Sequence, residues 1–161
     1  MKPIYQKLII LFLLLQGSLF AHCQVPCGIY NDAARIVQIQ EDFSTIQKAM
    51  NKIKELSEQQ DAPSMNQMTR WILTKEEHAS KIQKVVSDYF LTQRIKTKTK
   101  GSEFDTYVKQ TTTLHQILVS AMKCKQTVDD QNVILGIILI DEFVEGYFDS
   151  HGLEHLRKLS E

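Results

Sequence analysis

The chain has 161 residues, of which 43% are hydrophobic, and it carries 19 basic and 19 acidic side chains. Without Lys2 and Lys7, which lie in an apolar leader, 17 basic residues oppose 19 acidic ones, for a net charge of about −2. This balance argues against a nucleic-acid-binding protein, which needs a basic surface, and the length suits one domain with a hydrophobic core.

Residues 1–21 are predicted to form a secretory signal peptide. Two lysines make its start positive, Leu8–Leu15 is wholly apolar, and Ala21 is small enough to precede a cleavage site. The apolar stretch falls short of the roughly 20 residues that span a bilayer. We therefore expect export to a periplasm or the medium, with no membrane attachment after cleavage. The alternatives are an uncleaved anchor and a lipoprotein modified at Cys23, where His22 fits poorly because a small residue is expected before the lipidated cysteine.

The residues after the leader form a loop rich in metal donors. If cleavage follows Ala21, His22 supplies a free α-amine and an imidazole, and Cys23 and Cys27 supply two thiols. The amine, the Cys23 backbone nitrogen and the two thiolates can surround one metal in a plane, with the imidazole on the axis. Pro26 can fix the turn between the cysteines.

A planar set of nitrogen and sulfur donors suits nickel(II) or copper(II), whereas zinc prefers a tetrahedron and calcium or magnesium prefers oxygen. Thiolates stabilise a higher oxidation state, so a one-electron Ni(III)/Ni(II) cycle becomes accessible. The competing interpretation is a Cys23–Cys27 disulfide in an oxidising compartment. The third cysteine, Cys124, lies in a predicted helix and is expected to be a small buried or semi-exposed thiol and not a ligand.

The rest of the chain is predicted to form four helices. The first extends from about Asp32 to Ser57, and Asp61-Ala62-Pro63-Ser64 separates it from the second, which reaches about Arg94. The third extends from about Phe104 to Lys125 and the fourth from about Asp129 to Phe148, although dense β-branched residues make a strand a rival for Val133–Ile140. The tail from Gly152 is predicted to be a fraying turn. Short connections favour an all-α, antiparallel four-helix bundle preceded by the metal hook, residues 22–30 of a domain that spans 22–161.

Apolar spacing predicts which helix faces are buried. The first helix has one seam, with spacings of 3 and 4 residues: Ile36, Ile39, Phe43, Ile46, Met50 and Ile53. For the third helix we expect the buried line to be Phe104, Val108, Thr111, His115, Leu118 and Met122. The fourth helix is apolar nearly all round, so it is either central or covered by another subunit.

The hook closely resembles a known family. His-Cys-x-x-Pro-Cys-Gly-x-Tyr at a processed N-terminus is similar to the nickel hook of nickel-containing superoxide dismutase, and the matching positions are His22, Cys23, Pro26, Cys27, Gly28 and Tyr30. Two stretches of the second helix, around Thr69–Glu76 and Ser87–Phe90, also resemble the family.

The resemblance implies an enzyme that disproportionates superoxide to dioxygen and hydrogen peroxide. It implies one nickel ion per subunit, bound by His22, Cys23 and Cys27, with Tyr30 beside the metal to gate or hydrogen-bond small anions. It also implies a four-helix bundle that assembles into a homohexamer. The alternative functions are an exported protein that binds or traffics nickel or copper without turnover, and a structural helical protein with a disulfide at the hook.

The chain departs from the family pattern where the axial imidazole is held. The family uses a Glu and an Arg there, and Val37 and His78 fall near those places. Glu41, Glu76, Glu77 or His78 is the expected substitute.

The remaining aromatic and histidine candidates are expected to have structural roles. Tyr89 and Phe90 are predicted to be core residues, His78 a residue of a polar face or interface, and His115 a hydrogen-bonded core histidine. His151 and His155 are spaced for a metal pair, but no further ligands cluster near them.

Overall fold

The computed structural model describes residues 30–160, which form five helices and no strand. Their bounds are α1 Asp32–Leu56, α2 Ala62–Lys84 continuing as a π-helix over Val85–Arg94, α3 Phe104–Gln126, α4 Gln131–Tyr147 and α5 Ser150–Ser160. The all-α prediction is confirmed. The strand alternative for Val133–Ile140 is wrong, since these residues lie in α4. The predicted leader and most of the hook lie outside the described residues.

Helix α1 begins and packs as its sequence predicts. The Asn31 side chain caps it by accepting a hydrogen bond from the Ala34 amide at 3.0 Å. All six residues of the predicted seam are buried, with Ile53 the most exposed at 8%. An apolar stripe of this width gives α1 a continuous face for the core.

The break between α1 and α2 has a clear local cause. Asp61 is the N-cap of α2 and accepts from the Ser64 amide at 3.0 Å, and Pro63 lies in the first turn. Proline is tolerated there because its missing N–H has no helical partner in any case.

Helix α3 buries a different face from the predicted one. The residues that face the core include Leu114, Ile117, Ala121 and Cys124, which flank the predicted line. Phe104, Val108, His115 and Met122 are exposed, so the core role assigned to His115 is wrong. Apolar residues occupy two faces of this helix, and periodicity does not tell which one meets the neighbouring helices.

Helix α4 is central on one side and exposed on the other. Gly136 lies directly against the buried ring of Phe43, and an ideal Cβ at this glycine would be 2.3 Å from Phe43 Cζ. The opposite face leaves Ile134, Leu135 and Ile138 exposed, with Ile138 57% accessible. We call these three residues the α4 outer face.

The tail forms a complete helix, α5, and the prediction of a fraying turn is wrong. Leu156 is buried in the core, and Leu153 packs partly against it. Leucines three residues apart give α5 an apolar stripe, and it packs on α1.

The helices form a closed bundle with α5 on its outside. Each of α1 to α3 packs on the next helix, and α4 packs back on α1.

A buried lysine of α2, Lys75, is only 4% exposed and donates to the Cys124 carbonyl at 2.8 Å near the end of α3. A cation is favourable there because unpaired carbonyls make a helix C-terminus negative.

No helix within residues 30–160 is long and apolar enough to cross a membrane.

Candidate metal centre

The predicted ligands His22, Cys23 and Cys27 precede the described residues, which begin at Tyr30. Between residues 30 and 160 there is no group of three or more His, Cys, Asp or Glu side chains that could hold a metal ion. The donor set of the hook itself, an amine, an amide nitrogen and two thiolates, fits nickel(II) by its softness and its preferred geometry.

Tyr30, the one hook residue in the described part, lies just before α1 and contacts the π-helix that continues α2. Its side chain is 43% exposed. The ring meets the Tyr89 ring edge to face at a centroid distance of 5.9 Å. The guanidinium carbon of Arg94 lies 4.3 Å from the Tyr30 ring centroid, within the range of a cation–π contact.

One carboxylate, Asp32, organises the surroundings of Tyr30. Arg94 binds it with two parallel hydrogen bonds, Nε to Oδ1 at 2.8 Å and Nη2 to Oδ2 at 2.7 Å. The hydroxyl of Tyr89 donates to Oδ1 at 2.6 Å, and that of Tyr147 donates to Oδ2 at 2.8 Å. We call Asp32, Tyr89, Arg94 and Tyr147 the Asp32 cluster. It joins the start of α1 to the ends of the π-helix and α4.

The charges in this cluster are fixed at neutral pH. Burial alone would raise the pKa of Asp32, but the donors Arg94, Tyr89 and Tyr147 outweigh it and the pKa lies below its ordinary value. Burial, together with the hydrogen bonds to the carboxylate, raises the pKa of both tyrosine hydroxyls. The bond to Asp32 likewise raises the pKa of Arg94. Asp32 is therefore an anion, Arg94 a cation, and both phenols stay protonated.

The π-helix explains how two side chains of one segment reach the same carboxylate. Tyr89 and Arg94 are five residues apart, and the Ile95 amide donates to the Phe90 carbonyl five residues earlier at 2.9 Å. The wider π-helical turn places residues five apart on the same side of the segment, whereas in an α-helix the neighbours are three or four residues apart. π-helical segments are rare and are frequent at functional sites.

A basic groove lies beside Tyr89 between α1 and α2. Its volume is about 330 Å³, and its lining is Arg35, Gln38, Lys81, Lys84, Val85, Asp88 and Tyr89. Asp88 pairs with Lys84 at 2.6 Å. Lys81 pairs with Glu77 at 2.8 Å just outside the lining. Three cations against these two carboxylates leave a net charge of +1, which favours a small anion.

The four expected substitutes at the axial imidazole have separate surroundings. His78 Nδ1 lies 2.6 Å from Asp42 Oδ1. The carboxylates of Glu76 and Glu77 pair with lysines of their own helix, and Glu41 lines a cavity toward α5. His78 is the member held by a buried partner from the adjacent helix.

The remaining candidates are explained by the fold. Tyr89 and Phe90 are buried, as predicted. His151 and His155 are both exposed on α5. Cys124 is a free, fully buried cysteine, and burial raises the pKa of its thiol to about 11, which makes it a poor metal ligand at neutral pH.

Sequence reasoning missed Asp32, Arg94 and Tyr147. An acidic residue in the first turn of a helix and a basic residue in its last turn are ordinary helix-end features, so neither stood out. The one available signal was position, because Asp32 follows the last motif residue by two places.

Comparison with known proteins tests the resemblance directly. The family model of nickel-containing superoxide dismutase matches residues 18–151, a range that includes the whole hook and all of α1 to α4. No curated protein and no solved structure gives a significant match.

The family match confirms the resemblance, and with it the expectations of an enzyme, a nickel cofactor and superoxide as the substrate. The chain belongs to the family of nickel-containing superoxide dismutases, oxidoreductases that convert superoxide to dioxygen and hydrogen peroxide.

Proposed function

We propose that superoxide dismutation takes place at a mature N-terminus that begins with His22, after the leader of residues 1–21 is removed. The observation that carries this proposal is the family match over residues 18–151, because it includes the motif His22, Cys23, Pro26, Cys27, Gly28 and Tyr30. It supports catalysis and gives no support to the alternative of a binding protein without turnover.

The residues that would hold the metal are His22, Cys23 and Cys27, with one nickel ion per subunit. When bound, nickel supplies one-electron chemistry between its +2 and +3 states. The leader masks the amine of His22 until it is cut, so processing would complete the donor set. The Cys23 and Cys27 side chains must both be thiolates to bind, which makes nickel binding release protons.

The chain's own groups would bind and orient the substrate. Two superoxide anions and two protons give one dioxygen and one hydrogen peroxide. The Tyr30 hydroxyl would donate a hydrogen bond to a small anion beside the metal. The groove lined by Arg35 and Lys81 would favour the approach of the anion, since a basic surface raises its local concentration.

We further propose that the protein is exported to a periplasm or the medium. The support is the leader, with its positive start, the apolar Leu8–Leu15 and the small Ala21. Cleavage of the leader during export would then also form the ligand amine of His22.

We also propose that the subunit assembles with copies of itself, as a hexamer by the family resemblance. The supporting observation is the α4 outer face, because adjacent Ile134, Leu135 and Ile138 are exposed on an otherwise central helix. Contiguous exposed apolar side chains mark interaction sites more often than isolated ones do.

The experiment has two parts. Mass analysis of the purified exported protein is expected to show a chain that begins at His22. Cys23→Ser and Cys27→Ser are each expected to abolish nickel binding and dismutation, because serine is a weak ligand for nickel. Cys124→Ala is the matched control and is expected to keep both, since that thiol is buried and protonated.

Three results would contradict the proposal. A mature chain that begins elsewhere, or that carries a lipid on Cys23, removes the amine or the imidazole from the donor set. A loss of two hydrogens per chain indicates a Cys23–Cys27 disulfide. Full activity in Cys23→Ser or Cys27→Ser shows that the thiolates are not the ligands.

A further inference from the structure

The Arg94 guanidinium contacts both a partly buried anion and an exposed ring. On one side it binds Asp32, whose side chain is 14% exposed. On the other it contacts the ring of Tyr30 at 4.3 Å. Tyr30 is nearly half exposed, so few other described contacts fix its ring.

The orientation of the guanidinium does not depend on Tyr30. Two parallel hydrogen bonds to Asp32 fix its plane, as is typical of arginine–carboxylate pairs. The carboxylate is itself held by the hydroxyls of Tyr89 and Tyr147. The guanidinium is therefore a preorganised surface for the ring, and rigid support of this kind fixes the geometry of a functional group.

The second support of the Tyr30 ring comes from the same carboxylate. The Tyr89 ring, which meets Tyr30 edge to face, is anchored through its hydroxyl to Asp32. The π-helical winding of residues 85–94 presents Tyr89 and Arg94 on one side of the segment. One carboxylate thus fixes both groups that touch Tyr30.

We propose that Arg94, held by Asp32, is a positioning residue for Tyr30 in superoxide dismutation. Arg94 fixes the plane of the Tyr30 ring and so the direction of its hydroxyl. This inference rests on the assignment of Tyr30 to the nickel site in the proposed function. It does not require Arg94 to touch nickel or superoxide.

The test uses the processed, full-length protein with and without nickel. The first variant, Arg94→Gln, removes both the positive charge and the planar guanidinium with its paired N–H donors. The second, Arg94→Lys, keeps the charge but lacks the planar guanidinium. The first readout is the NMR spectrum of ¹³C-labelled tyrosine rings, in which the Tyr30 signal is identified by its loss in Tyr30→Phe. The second readout is kcat/KM for superoxide, with nickel content measured on the same samples.

Two matched controls separate positioning from charge and from stability. Arg35→Gln removes the same charge from a guanidinium that lies 5.4 Å from the Tyr89 ring centroid. Its kcat/KM therefore measures how much the loss of one positive charge weakens the attraction of superoxide. Tyr147→Phe removes one hydrogen bond to Asp32 without removing a group that contacts Tyr30.

We expect Arg94→Gln and Arg94→Lys both to move the Tyr30 signal toward that of a solvent-exposed tyrosine, with nickel content retained. We expect kcat/KM to fall about tenfold in both, because small misplacements of a positioned group are costly in rate. Arg35→Gln and Tyr147→Phe are expected to leave the Tyr30 signal in place.

The proposal is overturned if the Tyr30 signal does not move, or if kcat/KM in Arg94→Gln falls no further than in Arg35→Gln. Wild-type kinetics in Arg94→Lys would assign the residue to charge alone and also overturn it. Failure of the proposed function is seen separately, as nickel binding that survives Cys23→Ser.

Discussion

Two aspartates on α1 have opposite electrostatic situations. Asp32 accepts hydrogen bonds from a cation and two hydroxyls, and the pKa of its carboxyl is lowered despite burial. For Asp42, burial raises the pKa, although the bond to His78 opposes the shift. Its Oδ2 atom is buried without a hydrogen-bond partner. The difference lies in the number of donors that reach each carboxylate.

This contrast predicts the effect of removing each charge. At neutral pH, Asp32→Asn is expected to lower the free energy of unfolding by about 3 kcal/mol, because it leaves the partly buried Arg94 without its anion. Asp42→Asn is expected to change it by no more than about 1 kcal/mol, since an amide still bonds to His78. Urea unfolding followed by circular dichroism measures both, and equal losses would contradict the assignment.

The two variants should also differ in pH dependence. A lowered folded pKa means that Asp32 stabilises the fold above its ordinary value of 3.8, and that this stabilisation is lost as the pH falls through the folded value. The gap between wild type and Asp32→Asn should therefore shrink in acid. A raised folded pKa has the opposite sign, so Asp42→Asn should gain stability relative to wild type as the pH rises above 3.8.

The sequence predicts the roles of individual residues well, but it does not predict which distant residues contact them. Tyr30 was found from the motif, and Cys124 was predicted from its place in a helix to be a buried or semi-exposed thiol. The Asp32 cluster was missed because Tyr89, Arg94 and Tyr147 are 57, 62 and 115 residues away from the carboxylate. No local pattern connects residues at such separations.

Among the helices, α4 and α1 approach each other closely where Gly136 meets Phe43. Gly136→Ala is expected to destabilise the protein by about 1–3 kcal/mol through overpacking. Its Cβ would be 2.3 Å from Phe43 Cζ, and the Phe43 side chain is fully buried and has no room to move. Thermal unfolding measures the loss.

Gly146→Ala on the same helix is the matched control. A Cβ there has nothing within 4 Å, so alanine is expected to raise stability by up to about 1 kcal/mol through its higher helix propensity. If both alanines stabilise α4, the close approach at Gly136 does not constrain the packing.

The helices differ in how well the sequence predicts them. Helix α1 has one apolar seam bounded by polar residues, so both its extent and its buried face were predicted. In α3 the extent was correct but the face was wrong, because apolar residues line two sides. Helix α5 was missed because its stripe of three leucines is short and its remaining residues are mostly charged or polar. The π-helical winding of residues 85–94 has no sequence signal that we recognise.

For the whole molecule, the α4 outer face connects the monomer to the proposed assembly. Ile138→Lys places a charge at the most exposed residue of this face. It is expected to shift the protein toward smaller species, because an unpaired charge in an apolar interface is costly. Light scattering after gel filtration measures the change in mass.

Leu73→Lys is the matched control, since Leu73 is a similarly exposed apolar residue, 62% accessible, on α2. It is expected to leave the mass unchanged. An unchanged mass in Ile138→Lys, with the fold intact by circular dichroism, would exclude this face from the assembly.

The span of the Asp32 cluster also orders events during synthesis. Asp32 is synthesised 115 residues before Tyr147. Until that last partner emerges, the carboxylate lacks part of its hydrogen bonding. A polypeptide stalled before Tyr147 has Tyr89 and Arg94 available to Asp32 but lacks this last hydrogen bond, so the complete cluster forms only late in synthesis.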